Sequence, residues 1–279
     1  MAGMTASIII PAHNEAAVIE RCLASFAAQA GTAGWQVLVV CNGCTDDTAE
    51  RAGRFEGVQV VEIAQASKVA ALNAGDALAD GFPRLYLDAD ITVEPAALQA
   101  VVTTLRSGAP AAAPLPQLDL AGCSLLSRAY FSVWSRLGYA RHNLIGSGCY
   151  GLSEQGRGRF GRFPDLIADD AYVYSWFSRA ERVNPAGAQF VIRPPRTLSA
   201  TVHRRVRIVL GNRQLLAETG RRLDVAPPFW RDIVRTDPRL LPQVIVFLAV
   251  NLVADLIARR RLRKAEFAWN RDDSSRGGT

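Results

Sequence analysis

The first hundred residues alternate between short apolar runs and longer amphipathic stretches. Residues 7–11 form an isoleucine-rich run that predicts a buried strand. Val18, Ile19, Cys22, Leu23 and Phe26 then recur at helical spacing. Asn14 is the expected N-cap, with Glu15 in the first turn, where negative charge is favoured. Residues 31–34 read as a turn and 36–40 as a second strand. A helix is expected from Thr45, with Asp46 and Asp47 in its first turn. Val58–Ile63 predicts a third strand, Lys68–Leu78 a third helix and Arg84–Leu87 a central strand. Pro95 suits the first turn of a helix running to about Leu105. Strand and helix in strict alternation imply an α/β fold. The sheet is mostly parallel, with helices on both faces and binding loops at the carboxyl ends of the strands.

After Pro116 the rhythm changes. Residues 124–137 read as a helix with Leu126, Tyr130, Val133 and Leu137 on one side. Residues 146–151, Gly-Ser-Gly-Cys-Tyr-Gly, let backbone approach a ligand closely but make a poor dinucleotide fingerprint. Asp169 and Asp170 open a helix over 171–179. Gln189–Ile192 reads as a strand, and the stretch from Thr201 leads into a helix ending near Leu223. Pro227 and Pro228 mark a break, so the expected division is a main domain over 1–223 and an appendage over 224–279.

The appendage carries a helix over about 240–262, interrupted by Gln243, Asn251 and Asp255. At a hundred degrees per residue these three share roughly a third of the circumference. The longest unbroken apolar run, 244–250, is far short of a bilayer span. Arg259, Arg260, Arg261, Arg263 and Lys264 follow. Two readings stand level. The helix lies on an anionic membrane as a peripheral contact, or it packs on the body or on a second copy of the chain as a homodimer.

Charge sharpens this picture. The 279 residues carry a net charge of +6, with a pI near 9.4. The excess sits in the arginine-rich stretch 204–264, which points to phosphates or an anionic membrane surface and not to nucleic acid. The N-terminus lacks the basic and apolar regions of a signal peptide. Five cysteines at irregular spacing suit a reducing, cytoplasmic setting. Cys41-Asn-Gly-Cys44 spells C-x-x-C. It lacks a second such pair, so small residues at a strand-to-helix turn read better than a redox or zinc site.

The chemistry concentrates at Leu85-Tyr-Leu-Asp-Ala-Asp90. On an extended chain Asp88 and Asp90 point to one side. Two carboxylates so placed call for a cation, and Mg²⁺ or Mn²⁺ completed by phosphate oxygens is the natural partner.

Together these residues resemble the family 2 inverting glycosyltransferases of the GT-A fold. The opening Ile8-Ile-Ile-Pro-Ala-His-Asn-Glu15, the turn Val39-Val-Cys-Asn-Gly-Cys-Thr-Asp-Asp-Thr48, the helix Lys68-Val-Ala-Ala-Leu-Asn-Ala-Gly75, the Leu87-Asp-Ala-Asp90 signature and the Ala168-Asp-Asp170 acidic pair carry the resemblance, in that order. It implies a nucleotide-sugar half over about 1–115 and an acceptor half over 116–223. Pro11, Ala12, Asn14 and Glu15 would line the nucleoside pocket, with Asn42 and Asp46 by the base and Lys68 close to the nucleotide. Asp88 would face the ribose and the metal, and Asp90 would be the direct metal ligand. Asp170 would be the general base, with Asp169 beside it.

Cys41 stands where the family often has an acidic residue, which leaves UDP, GDP and dTDP open. The His203-Arg-Arg-Val-Arg207 stretch lacks the Gln and Trp of processive members. That argues for transfer of a single sugar, as does the absence of any stretch read as membrane-spanning.

The chemistry of the reaction adds further candidates. A leaving diphosphate gains charge, which guanidinium groups such as Arg204, Arg205 or Arg207 would stabilise. Neutral His203 is a candidate to complete the metal shell. The acceptor is expected to be a saccharide or lipid-linked, in cell-envelope or exopolysaccharide synthesis at the cytoplasmic membrane face. The alternatives are a non-catalytic nucleotide-sugar scaffold and a nucleotidyltransferase. The second would need a glycine- and arginine-rich loop where residues 12–15 stand.

Overall fold

A computed structural model describes residues 6–137, 140, 147–223 and 230–263. Gly146, Pro227, Pro228 and Lys264 with the tail after it lie outside the described residues.

The core is a seven-stranded sheet in the order β3-β2-β1-β4-β8-β6-β9. β1 (Ala6–Ala12) and β2 (Trp35–Asn42) are buried at every position. Such strands have both faces covered, so their sequences run apolar without alternation. β3 (Val58–Ile63) and β4 (Arg84–Leu87) complete a parallel block. Helices α1 (Ile19–Ala24), α2 (Ala27–Ala33), α3 (Thr48–Gly53), α4 (Lys68–Leu78) and α5 (Pro95–Arg106) cover it. The alternation is therefore as expected, and β3, α4 and β4 have the expected bounds.

Beyond β4 the sheet turns mixed. The short strands β5 (Thr92–Val93), β6 (Ala111–Ala112) and β7 (Leu115–Leu118) are too brief to leave a period in the sequence. The glycine-rich stretch is itself a strand, β8 (Cys149–Leu152), antiparallel to both β4 and β6. A Cβ on Gly151 would come within 2.8 Å of Leu105, so this glycine lets α5 press on the sheet. Gly148 has φ +109°, and its carbonyl accepts the Asp88 amide at 2.8 Å. β9 (Arg182–Val183) closes the edge, while β10 (Gln189–Ile192) joins β5 and β7 in a second sheet.

The second half is helical: α6 (Leu125–Trp134), the short α7 (Glu154–Arg157) and α8 (Asp169–Tyr174), then α9 (Leu198–Thr219), α10 (Trp230–Thr236) and α11 (Leu241–Arg263). α11 departs from the sequence reading in two ways. With the turn before it, it forms a helical segment over Pro238–Arg263 of 26 residues, long and apolar enough to cross a membrane. Its polar residues also face inward. Asn251 accepts from Arg205 at 2.7 Å, and Asp255 pairs with Arg213 at 2.6 Å, both on α9. Buried Val244, Phe247, Val250, Ala254 and Ala258 form the packed stripe against α6 and α9. Leu241, Ile245, Leu248, Leu252 and Leu256 are exposed. The amphipathicity is inverted: the polar breaks bind the protein and the leucines face outward.

The seat of α4 positions the site, because Lys68 is its first residue. A Cβ on Gly75 would lie 2.5 Å from Ile9 and 3.2 Å from Val40, so the glycine holds α4 close to β1 and β2. Gly75→Val should therefore cost about 1–3 kcal/mol through overpacking. Gly31→Ala, with open space around it, should be neutral or stabilising by up to about 1 kcal/mol. Urea denaturation of the two variants checks the contrast.

Candidate active site

The carboxyl ends of β1, β2 and β4 open into one cavity of about 1100 Å³. It gathers Pro11, Glu15, Asn42, Lys68, Asp88, Asp90, Asp169, Asp170, Arg204, Arg205 and Arg207, which span the length of the main domain in sequence.

At its centre the Lys68 ammonium lies 2.8 Å from Asp88 Oδ1 and 3.1 Å from Asp169 Oδ2. Local geometry aims it there. Ser67 caps α4 through its hydroxyl, which accepts the Ala70 amide at 3.2 Å, so Lys68 begins at the helix mouth. Asp88 follows directly on β4. Asp169 opens α8, whose first residue is fixed from behind by α9: a Cβ on Gly211 would meet Ala168 at 2.7 Å.

Burial disfavours the charged form of Lys68, but Asp169, Asp88 and Asp170 outweigh it and hold its pKa above the ordinary range. Burial raises the Asp169 pKa to about 6; Lys68 opposes this, while Asp170 and Asp88 add to it. Asp170 is less buried. Its Oδ1 accepts the Ala171 amide at 2.7 Å and its Oδ2 the Ser147 amide at 3.4 Å. Burial also lowers the Arg204 pKa, against the attraction of Tyr130, Asp170 and Asp90.

Four residues expected here stand elsewhere. Ala12 is buried in the core beneath the loop. Asn14 does not cap a helix. Its φ is +50° and its Oδ1 accepts the Thr45 amide at 2.8 Å, while α1 begins only at Ile19. Asp46 accepts from the Thr48 amide at 3.1 Å and the Ala16 amide at 3.2 Å. Both side chains staple the loop after β1 to the loop after β2. His203 is exposed on α9, outside the cavity lining. Among the described residues no cluster of three or more His, Cys, Asp or Glu is spaced for a metal.

Sequence reasoning missed His13, Arg193 and an apolar wall. His13 lines the cavity with Nδ1 2.6 Å from the Asn42 carbonyl. It lies inside the loop whose neighbours were singled out, so its position was the available signal. Arg193 follows β10 and pairs with Asp119 at 3.0 Å. Nothing in its sequence context points to the site. Phe131 and Trp134 of α6, Trp230, and Phe247 and Leu248 of α11 line the far end. The sequence reading singled out none of these side chains.

Two carboxylates on the β4 loop, a lysine, an arginine group and a second acidic pair joined to the first through Lys68 can receive a phosphorylated ligand and a proton. All five cysteines are free, and Cys41 and Cys44 hold no metal cluster among the described residues.

Residues 7–144 match the family described as glycosyl transferase family 2. Glycosyltransferase AglE of Haloferax volcanii is 33% identical over 105 residues, covering 36% of this chain and 34% of that protein. The chain thus spans about a third of the length of that relative. Among solved structures, the mannosyltransferase PcManGT from Pyrobaculum calidifontis, in complex with GDP-Man and Mn²⁺, superposes with a TM-score of 0.61 at 20% identity. The match covers 94% of this chain and 81% of that one. At that identity the likeness is one of fold. Glucosyl-3-phosphoglycerate synthase from Mycobacterium tuberculosis matches at a TM-score of 0.48 and 21% identity, over 70% of this chain and 71% of that one.

Lys68→Met should destabilise the protein in a pH-dependent way. The Asp169 pKa is raised by folding, so the stability tied to this group is full below about pH 4 and is lost as pH rises through about 6. Lys68 limits that loss, and without it the carboxylate is buried uncompensated. The variant should be roughly 2 kcal/mol less stable than wild type at pH 8, a buried-pair figure discounted for the partial exposure of Lys68 and Asp88. The difference should shrink at pH 5. Denaturation curves at the two pH values read it.

Proposed function

Because residues 7–144 match the family described as glycosyl transferase family 2, we propose that the protein transfers one sugar from a nucleotide-sugar donor to an acceptor hydroxyl, with inversion at the anomeric carbon. The observation that carries this reading is the meeting of Asp88, Asp90, Lys68 and Asp170 in one cavity, since nucleotide binding alone needs no second acidic pair.

In this reading Glu15 and Asn42 face the nucleoside, and the Lys68 ammonium sits by the diphosphate. Arg204 and Arg207 approach from the opposite wall and stabilise negative charge developing on the leaving group. Asp170 takes the proton of the attacking hydroxyl. It lies at a helix start with its oxygens oriented by the Ala171 and Ser147 amides, which fixes its direction. Buried Asp169 holds the Lys68 ammonium at 3.1 Å, and Lys68 offsets the repulsion between Asp169 and Asp170.

Asp88 and Asp90 fit a divalent cation that brings its own phosphate oxygens. Mg²⁺ and Mn²⁺ take one or two carboxylates plus substrate phosphates, so two carboxylates suffice for this class. Bound there, such an ion would supply Lewis-acid stabilisation of the leaving diphosphate. Support for this reading comes from the fold likeness to PcManGT, whose complex holds GDP-Man and Mn²⁺. The nucleoside remains UDP, GDP or dTDP. The acceptor is a saccharide or a lipid-linked one in envelope or exopolysaccharide synthesis, at the cytoplasmic face of the membrane. The α11 helix meets that membrane or a second copy of the chain.

Asp170→Asn should lower kcat by about 10²–10⁴-fold while leaving donor Kd within a few-fold of wild type. Release of nucleoside diphosphate with acceptor present gives the first quantity, and calorimetric titration of the donor the second. Equal loss of both would remove Asp170 from the role of base.

A further inference from the structure

We propose that the far end of the cavity is an acceptor subsite for a hydrocarbon chain, so that the acceptor is lipid-linked and enters from a bilayer seated on α11. The inference deepens the transferase reading above and rests on it for the position of the reacting hydroxyl.

The cavity has two chemically distinct ends. The nucleotide end is walled by carboxylates and Lys68. Phe131, Trp134, Trp230 and Phe247 in the lining belong to one apolar cluster, Leu248 lines the cavity with them, and Arg204 bridges the two chemistries, 6.0 Å from the Phe131 ring and within reach of the charges of Asp170 and Asp90. The volume, about 1100 Å³, is at the top of the range of roughly 300–1,000 Å³ that one small ligand fills. Space for a donor therefore leaves space for part of an acceptor. Sugars can stack on aromatic rings, but they also need hydrogen-bond partners. Two polar groups beside this wall are already engaged: Arg205 Nε donates to Asn251 Oδ1 at 2.7 Å, and Asn251 Nδ2 donates to the Phe247 carbonyl at 2.7 Å, while the Arg204 guanidinium stands 6.0 Å from the Phe131 ring at the head of the wall. A hydrocarbon chain asks for no such partners.

Leu248 links this wall to the outside. It lines the cavity and is also exposed on the outer face of α11. Leu241, Ile245, Leu252 and Leu256 are exposed with it, within an arc of about 80° at a hundred degrees per residue. The stripe is about 22 Å long at 1.5 Å per residue. Arg259 and Arg263 continue the same arc beyond Leu256, and Arg260 stands beside it. An aliphatic stripe closed by guanidinium groups complements a bilayer interface whose phosphates lie beside its acyl chains. Two of the three polar breaks, Asn251 and Asp255, are turned instead onto α9. An amphiphile in that bilayer would reach Asp170 with its hydroxyl head while its chain stays on apolar side chains throughout, past Leu248 and Phe247.

The test uses the full chain and monomeric alkyl β-D-glucosides below their micelle concentration, with free glucose for comparison. Trp134 and Trp230 lie in the wall, so intrinsic fluorescence reports binding. From hexyl to octyl to decyl, Kd should fall about two- to fourfold per added methylene, the upper figure being that of a fully buried one. Leu248→Asp should weaken the decyl glucoside at least tenfold and flatten the series. Its melting temperature and its Mn²⁺-dependent affinity for a nucleoside diphosphate should remain those of wild type. Free glucose binding as tightly as decyl glucoside, or a Kd independent of chain length, would overturn the subsite. So would a Leu248→Asp variant with an unchanged series. Wild-type protein should float with phosphatidylglycerol vesicles and not with phosphatidylcholine ones. A soluble dimer that dissociates on Leu252→Asp would overturn the bilayer in favour of a second copy. Loss of nucleotide binding with the chain-length series intact would instead refute the transferase reading.

Discussion

The Lys68 ammonium between Asp88 and Asp169 is the contact on which the site depends. It joins three elements that the chain brings together from far apart: the first residue of α4, the loop after β4 and the first turn of α8. Three carboxylates, Asp88, Asp169 and Asp170, exert their charge on it, and it is the cation that lets them share a partly buried space. Without it, like-charge repulsion and desolvation would drive them apart or protonate them. Asp90 lines the same cavity, and Arg204 and Arg21 exert positive charge on it.

The rest of the fold serves to hold those three elements still. Gly75 sets α4 close on the sheet, Gly148 hands its carbonyl to the Asp88 amide, and Gly211 lets α9 come against the start of α8. Each position lacks a side chain because a neighbour occupies the space it would take. The loop after β1 is tied to the loop after β2 by Asn14, Asp46, Asn42 and Thr48, which keeps Glu15 and His13 facing the cavity. The N-terminal half thus frames the end of the cavity that carries Lys68, Asp88 and Asp90, and the helical half contributes the arginines and the apolar wall.

Much of this frame was legible in the chain. Buried parallel strands write themselves as continuous apolar runs, and Val58–Ile63, Lys68–Leu78 and Arg84–Leu87 fell within the expected bounds. The acidic pairs could be located because each sits at the end of an element. Asn14 and Asp46 misled because loop staples and ligand contacts use the same residue types. β5, β6 and β9 have two residues each, below the length at which alternation exists. β8 was hidden by glycines that serve packing as well as backbone approach. The orientation of α11 could not be read from its own sequence. Gln243, Asn251 and Asp255 define a polar stripe, but only Arg205 and Arg213 on another helix reveal that the stripe faces inward.

The most direct measurement is the thermal stability of the purified chain against UDP, GDP and dTDP, each with and without Mn²⁺, in wild type and in Asp90→Ala. A ligand that binds only the folded state at a hundred times its Kd adds about 2.7 kcal/mol. The account predicts stabilisation of that order by one nucleoside diphosphate, dependent on Mn²⁺ and abolished in Asp90→Ala. Stabilisation that needs no metal, or that survives in Asp90→Ala, would contradict it.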